Sequence, residues 1–429
     1  MESSGTPPQV PPTNAPSPPA VARATGIGRF LPVFQSPGYG WLWCNFLFFW
    51  GGMSLTGITN GWLMVELTDS AFWVGVMAGV SGAVSVVFGL FTGALADRFD
   101  RRKLLMAGQA ANALIAIIIG LLVWFHAINV GLLLLCVAFQ ALSGVVQTPA
   151  RNTLVADLVP RNRLVNANAA NFMALGVIRI PFAIAGGLII EFFGIAPCYV
   201  LTAGVMLVAV ALLIRLSTPP RASTISGPLL RTIAEGLRYS LKRGPVRSLL
   251  LLSVTTEGFG YSHAHMLPII AKKVLNVGSS GYGELVAASA AGQLVVNLFL
   301  ASRRDIQGKG SVTIGATLGY GLFLLLFALS TSFPLSLALL FIAGGFGIAY
   351  DVGLVTLLQG TVSDQYRGRV MGVYTQTLGA NTLGGFQAGA VASAVSAPFA
   401  VGLGGSLVMA NALRLVRLAR QLNQPQART

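Results

Sequence analysis

About twelve stretches of this chain are each long and apolar enough to cross a bilayer, and they follow one another with only short gaps. A membrane helix needs about 20 consecutive, mostly apolar residues. In hydrocarbon every backbone donor and acceptor must be satisfied within the segment, so such runs fold as helices. The runs lie near 41–65, 73–96, 104–125, 130–146, 164–192 and 196–216, then 248–271, 282–301, 312–329, 335–358, 370–395 and 399–415. They fall into two sets of six. The fold class this predicts is an all-α membrane protein with about twelve transmembrane helices. Charged residues are 10% of the chain and hydrophobic ones 54%, against about 25% charged in soluble domains.

The basic residues supply an orientation, because Lys and Arg accumulate in cytoplasmic loops. With the N-terminus inside, all of the 28 Lys and Arg residues except Lys272, Lys273 and Arg179 fall on the inner side, and both termini are cytoplasmic. The net charge of +15 is therefore spread over loops. The expected partner is the lipid bilayer, not nucleic acid. Cys44, Cys136 and Cys198 lie in apolar runs without C-x-x-C spacing, and no P-loop, nucleophile motif or metal-ligand cluster occurs, so no metal, no cofactor and no enzymatic activity are expected.

The organisation follows. Residues 1–30, with seven prolines before Ala20, are expected to form a disordered cytoplasmic tail. Residues 31–216 hold the first set of spans, 217–246 a cytoplasmic linker, 247–415 the second set and 416–429 a cytoplasmic tail. In the linker Leu230, Ile233, Leu237 and Leu241 recur at helical spacing beside Arg231, Arg238 and Lys242. That pattern fits an amphipathic helix on the membrane surface or an ordinary helical linker. The sets are weakly self-similar: Thr153–Val159 overlays Thr356–Val362, and the same offset puts Gly186 on Gly389.

Between the second and third runs stands Gly93-Ala94-Leu95-Ala96-Asp97-Arg98-Phe99-Asp100-Arg101-Arg102-Lys103. An acid closes one span, a basic cluster follows, and the next span begins at once. The block resembles the loop between helices two and three of the major facilitator superfamily, Gly-x-Leu-Ala-Asp-Arg-x-Gly-Arg-Arg, with Asp100 where that superfamily usually has Gly. Two further blocks resemble the transmembrane secretion effector branch that includes the enterobactin exporter. One runs from Pro149-Ala150-Arg151 through Leu158-Val159-Pro160 and Asn166-Ala167-Asn168 to Arg179 and Gly186-Gly187. The other runs from Leu357-Leu358-Gln359 to Arg367-Gly368-Arg369-Val370-Met371-Gly372. The branch often has a Gly-Pro pair three and four residues after its membrane Arg, in a motif associated with antiport. Phe182-Ala183 stand there instead.

The resemblance implies the major facilitator fold: two pseudo-symmetric six-helix halves, working as a monomer, multi-pass in the bacterial inner membrane. It implies a secondary active transporter that moves a small organic molecule by alternating access, an exporter of a siderophore- or drug-like substrate, coupled to protons. An uptake permease or facilitated-diffusion carrier, and more remotely a membrane sensor, remain open. Gly93, Asp97, Arg98, Arg101 and Arg102 become a gating motif, with Asp97 facing the start of the eleventh helix at Arg367, Gly368 and Arg369. A carboxylate there is favoured by the helix dipole, and Arg101 or Arg102 would tie the loop to Asp157 or Asp364.

Ionisable groups inside spans are rare, costing roughly 2.5–3.5 kcal/mol each on insertion scales, and default to function. Arg179, Glu257 and Asp351 are such groups, and are the candidates for substrate binding or coupling. Arg179 cannot lose its proton, so it needs an acid or water, and Glu257 or Asp351 is its expected partner. Asn171, Gln140, Tyr261 and Tyr350 are candidate polar lining. Glu66 and Asp69 fall at a span end, where solvation accounts for them.

Overall fold

The computed structural model describes residues 31–160, 163–216, 229–302 and 308–416, with side chains at all of these except 31, 90–98, 165, 169, 172, 229–234 and 364. The expected tails and most of the linker loop lie outside the described residues. The first helices are α1 (Tyr39–Thr68), α2 (Ala71–Arg98), α3 (Arg101–Trp124), α4 (Val130–Leu158), α5 (Leu164–Phe193) and α6 (Ile195–Ile214). Next come α7 (Leu229–Lys242), α8 (Gly244–Thr255), α9 (His263–Lys273), α10 (Ser279–Ser302), α11 (Lys309–Leu329) and α12 (Phe333–Thr361). The last are α13 (Asp364–Leu378), α14 (Ala380–Ala394) and α15 (Ala397–Arg414). No strand occurs among the described residues.

Eight helices, α2 to α6 and α10 to α12, are long and apolar enough to cross a membrane by length and composition. Their outward faces carry exposed Leu114, Leu121, Phe139, Val200, Val295 and Phe299, as a surface bathed in lipid requires and a water-facing one does not. Polar side chains close the helix ends. Asp100 caps α3 by accepting from the Lys103 amide at 3.1 Å, which gives a physical reason for an acid where the resemblance expects Gly. Asn129 caps α4 at 2.9 Å and Ser396 caps α15 at 3.2 Å.

Three expectations are corrected. The fourth run does not stop near 146: α4 continues to Leu158 with Pro149 inside it, so Gln147, Thr148 and Arg151 are helical residues and not loop. The seventh run is broken: α8 ends at Thr255, a five-residue π turn spans Thr256–Gly260, and α9 starts at His263. The eleventh run breaks at Gly379, between α13 and α14. Glycine has the poorest helix propensity after proline, and Gly258, Gly260 and Gly379 sit at these breaks.

Packing repeats between the two sets. In the first, α1 packs on α5 and α6, α2 on α4, and α3 on α4 and α6. In the second, the π turn with its flanking helices packs on α14 and α15, α10 on α12, and α11 on α12 and α15. The sets meet where α2 lies on α14 and α5 lies on α10. Each of these contacts is built on facing glycines. A Cβ on Gly389 would stand 2.5 Å from the Gly75 Cα, and a Cβ on Gly187 would stand 3.2 Å from the Gly283 Cα and 2.5 Å from the Ser279 carbonyl oxygen. Gly75 and Gly283 occupy the same position in α2 and α10, four residues after the first helical residue. The repeat therefore matches Gly187 with Gly389, one residue from the Gly186 pairing that the offset gave.

The linker helix α7 docks on α13. Glu235 pairs with Arg369 at 3.2 Å, Tyr239 stacks on Tyr366 with centroids 4.3 Å apart, and Gly236 is so close to the Arg369 carbonyl that a Cβ would stand 2.6 Å from it. Leu237 and Leu241 of the expected apolar stripe remain exposed, so the helix uses its small and polar face to dock.

Candidate functional site

The π turn carries the most unusual arrangement in the chain. Its extra residue gives the bond Tyr261 N to Thr256 O, 3.0 Å, five residues back, and such turns occur mostly at functional sites. Glycines of two other helices press on its carbonyls: a Cβ on Gly384 of α14 would collide with the Gly258 oxygen, and one on Gly404 of α15 with the Phe259 oxygen. Thus clamped, the turn aims Glu257 inward, 5% exposed, within electrostatic reach of Asp351 on α12 and close to Asn381 on α14.

Asp351 accepts a hydrogen bond from Tyr261 Oη at 2.7 Å, while its Oδ1 is buried without a donor. Tyr350, fully buried, has a hydroxyl without a well-formed hydrogen bond, as has Thr256. Tyr320 approaches the His263 Nδ1 at 3.4 Å, and that nitrogen lies 2.8 Å from the Gly260 oxygen. His265 Nε2 lies 3.2 Å from the Asn381 Oδ1. Two acids, two imidazoles and three tyrosines thus share one side of the second set.

Arg179 stands midway along α5, within electrostatic reach of Tyr261, Tyr282 and His263. Its guanidinium makes no ion pair or hydrogen bond with described residues, and it is half-buried although protein surrounds it. The expected direct partnership with Glu257 or Asp351 is absent from this conformation: Tyr261, which binds Asp351, lies near Arg179 without bridging it by any bond.

Gln140 and Asn171 are placed elsewhere. Gln140 is buried, accepting from Asn60 at 2.9 Å, and Asn60 accepts from Tyr199 at 2.6 Å; this network ties α1, α4 and α6. Asn171 accepts from Tyr39 at 3.2 Å, near the start of α1. Each joins helices of the first set, the glue role polar side chains take in membranes. Of the gating motif, Gly93, Asp97 and Arg98 fall in the stretch of α2 whose side chains are not described. Arg101 pairs with Asp157, one of the two expected ties. Arg102 donates instead to the Ile214 carbonyl at 2.6 Å. Arg367 donates to the Gln359 carbonyl at 3.2 Å, Arg369 is engaged by α7, and Gly368 has open space where a Cβ would sit.

Two features take a place that the sequence reading did not give them. Arg151 is 7% exposed inside α4, stacked 3.8 Å over Phe49 and flanked by Phe46 and Trp50, with Nε and Nη2 unbonded. The extended helix α4 brings it there. The second is a latch between the sets. Asp69 pairs with Lys272 at 3.3 Å and Lys273 at 3.0 Å, and Lys273 also donates to the Asp69 carbonyl at 2.7 Å. Solvation alone therefore does not account for Asp69, and the two lysines set apart by the charge pattern have a structural use. Ser280 N donating to Glu191 at 2.9 Å and Ser279 Oγ donating to the Gly187 carbonyl at 3.0 Å lie on the same face. These hydrogen bonds and ion pairs between the two sets all lie at this end, opposite the basic loops.

Hydrogen bonds from Lys273 and Lys272 hold the Asp69 carboxyl below its ordinary range. A depressed acid favours the latched form above its free value and loses that effect as pH falls through the depressed one. The latch is thus intact at neutral pH and opens in acid, and salt weakens it because it is exposed. Asp69→Asn, which keeps the left-handed backbone that Asn tolerates, is expected to raise labelling of a cysteine at Tyr282 from the latch face by severalfold at most. No change in labelling, and none with salt in the parent, would remove the latch.

A sequence model of the family described as transmembrane secretion effector matches residues 28–427. The chain is 26% identical to the enterobactin exporter EntS of Shigella flexneri over 82% of this chain and 85% of that one. It is 22% identical to the staphyloferrin A transporter of Staphylococcus aureus over 60% of this chain, and the match spans 64% of that relative, just under two thirds. Among solved structures, a bacterial homologue of the lysosomal transporter Spinster, inward-facing and unoccupied, superposes with a TM-score of 0.63 at 18% identity, covering 90% of this chain and 96% of that one. A POT family transporter in complex with 5-aminolevulinic acid gives 0.70 at 12% identity, covering 91% and 97%.

Proposed function

This chain belongs to the transmembrane secretion effector family of the major facilitator superfamily, multi-pass membrane transporters and not enzymes, and from that premise we propose that it exports a small organic molecule across a bacterial inner membrane by proton-coupled alternating access. The observation that carries this reading is an unpaired guanidinium, Arg179, in one set and the Glu257–Asp351 cluster in the other, with Tyr261 within electrostatic reach of both and no ion pair between them. A fixed cation in one set and a pair of proton-accepting groups in the other let binding of substrate and of proton be coupled through the groups between them. The relatives named for enterobactin and staphyloferrin A support export of a siderophore- or drug-like compound.

In this reading α1, α8–α9, α13–α14 and α15 complete twelve spans with the eight apolar helices, in two halves. The basic face is cytoplasmic, with both termini. The latch closes the outer side, so the structure corresponds to an inward-open state. The linker helix α7 rests its exposed leucines in the membrane interface. One chain suffices, since the cluster lies within it. Downhill carriage is a second reading, favoured by Phe182-Ala183 where the antiport motif has Gly-Pro. Flux into proteoliposomes with and without an imposed pH gradient decides: a rate unaffected by the gradient would leave the carrier reading and remove proton coupling.

Topology has its own check. A cysteine at Gly308 is expected to react with an impermeant reagent only from the cytoplasm, and one at Asn276 only from outside; reversed labelling at either site overturns the orientation. Arg179→Lys keeps the charge but loses the planar fork. It is expected to retain more transport than Arg179→Ala, which should lose about tenfold or more, a coupling energy of ordinary size. Normal flux and pH profile in Arg179→Ala would make this residue structural.

A further inference from the structure

Arg151 is unexplained by the export cycle as described, and its surroundings are specific. Its Nε and Nη2 lie on one edge of the guanidinium and point the same way, and both are buried without an acceptor. The indole Nε1 of Trp50, on the neighbouring turn of α1, is a third buried donor without a partner. Phe49 covers one face of the guanidinium at 3.8 Å, and Phe46 and Trp50 stand 5.7 and 5.9 Å away. No acid pairs with Arg151 among the described residues, since Asp157, the acid nearest to it along α4, is held by Arg101. Buried donors in native proteins are nearly always satisfied, and three together call for a missing acceptor.

Open space lies along the same two helices. Gly144, two turns earlier on α4, and Gly57, two turns on from Trp50 along α1, have nothing within 4 Å of where a Cβ would sit, and Thr148 between Gly144 and Arg151 is exposed. Nη1 of Arg151 is neither bonded nor among the sealed atoms. Phe49, which covers the face of the guanidinium, is a side chain that can turn aside. Along the helices Arg151 lies about seven residues from the basic end, whereas Arg179 lies about fifteen from it, an offset of roughly 12 Å at 1.5 Å per residue.

We propose that Arg151, Trp50 and Phe49 form an anion subsite in the first set, which takes a carboxylate group of an organic solute entering from the basic face. The inference rests on the transport reading above and adds the chemical class. Two coplanar donors on one guanidinium edge match two carboxylate oxygens, and the indole N–H supplies a third bond. One guanidinium in an apolar aromatic setting balances one negative charge. A phosphate dianion would bury a charge left uncompensated, which such a setting resists. The solute then meets two cations in sequence, Arg151 near the opening and Arg179 at mid-depth.

The test is equilibrium binding of benzoate, with benzamide as its neutral counterpart, to the full chain in phosphatidylcholine nanodiscs without any gradient. The parent is expected to bind benzoate more tightly than benzamide. Arg151→Gln should weaken benzoate by about tenfold to a hundredfold, the loss of charge-assisted bonds, and leave benzamide unchanged. Trp50→Phe, which keeps the ring and removes the donor, should weaken it by severalfold, and Arg151→Lys should fall between parent and Gln. If Arg151→Gln yields no folded protein, the Lys and Trp50→Phe variants carry the comparison. Equal benzoate affinity in parent and variants overturns the subsite, as does a parent that does not separate benzoate from benzamide. Loss of benzoate binding when phosphatidylglycerol replaces phosphatidylcholine assigns the fork to a lipid headgroup and overturns the solute. Binding is read without flux, so a failure here leaves export standing, and a chain that exports nothing can still bind.

Discussion

Gly389→Val and Gly187→Val are each expected to cut transport by roughly 5–150-fold while leaving the protein folded in the membrane. The Cβ of the first would stand 2.5 Å from the Gly75 Cα and that of the second 2.5 Å from the Ser279 carbonyl, where carbon contacts are favourable only near 3.5–4.0 Å. The obstacle is backbone, so no rotamer relieves it. Overpacking costs roughly 1–3 kcal/mol, and here the cost falls on one conformation, the one in which α2 meets α14 and α5 meets α10. Separation of the two sets at the latch face removes the clash. The equilibrium therefore shifts toward opening at that face, by the fold-change that such an energy sets. Flux in proteoliposomes reads the loss, and labelling of a cysteine at Tyr282 should rise. Parent-level flux in either variant would mean that the two sets do not need this approach.

Glu257→Gln and Asp351→Asn are expected to reduce gradient-driven transport by about tenfold or more, while exchange of substrate down its own gradient persists. Each substitution keeps shape and some hydrogen bonding but removes a proton site. Asp351→Asn retains an acceptor for the Tyr261 hydroxyl, which now donates to Oδ2 at 2.7 Å, so local structure should survive. Ordinary proton-driven accumulation in both single variants and in the double variant would place coupling outside this cluster.

The helical spans were legible because bilayer thickness imposes their length and apolar character, and Arg179, Glu257 and Asp351 stood out because ionised groups are rare in such runs. Helix breaks were not. Thr256-Glu257-Gly258-Phe259-Gly260 reads as the interior of a span, and only the pressure of Gly384 and Gly404 on its carbonyls, contacts distant in sequence, shows why it winds as a π turn. Arg151 was counted among the inner-side basic residues after a run ending near 146, yet α4 continues to Leu158 with Pro149 inside it. Asp69 meets Lys272 and Lys273 about two hundred residues away, a pairing that no local pattern encodes. Gln140 and Asn171 have suitable chemistry for a cavity, but residue type does not say which side of a helix faces it. Here both point to neighbours in their own set.

The docking of α7 on α13 fixes more than the linker. Among the described residues, Glu235, Gly236 and Tyr239 attach that helix to α13 of the second set, so the covalent link from the docked helix back to the first set runs through residues 217–228. Fully stretched, a segment of that length reaches about 40 Å. A connection of that reach keeps the two sets at high effective concentration. Cutting the chain inside 217–228 and expressing the two pieces together should therefore reconstitute transport, whereas a cut between α7 and α8 would separate a body from the part docked on it.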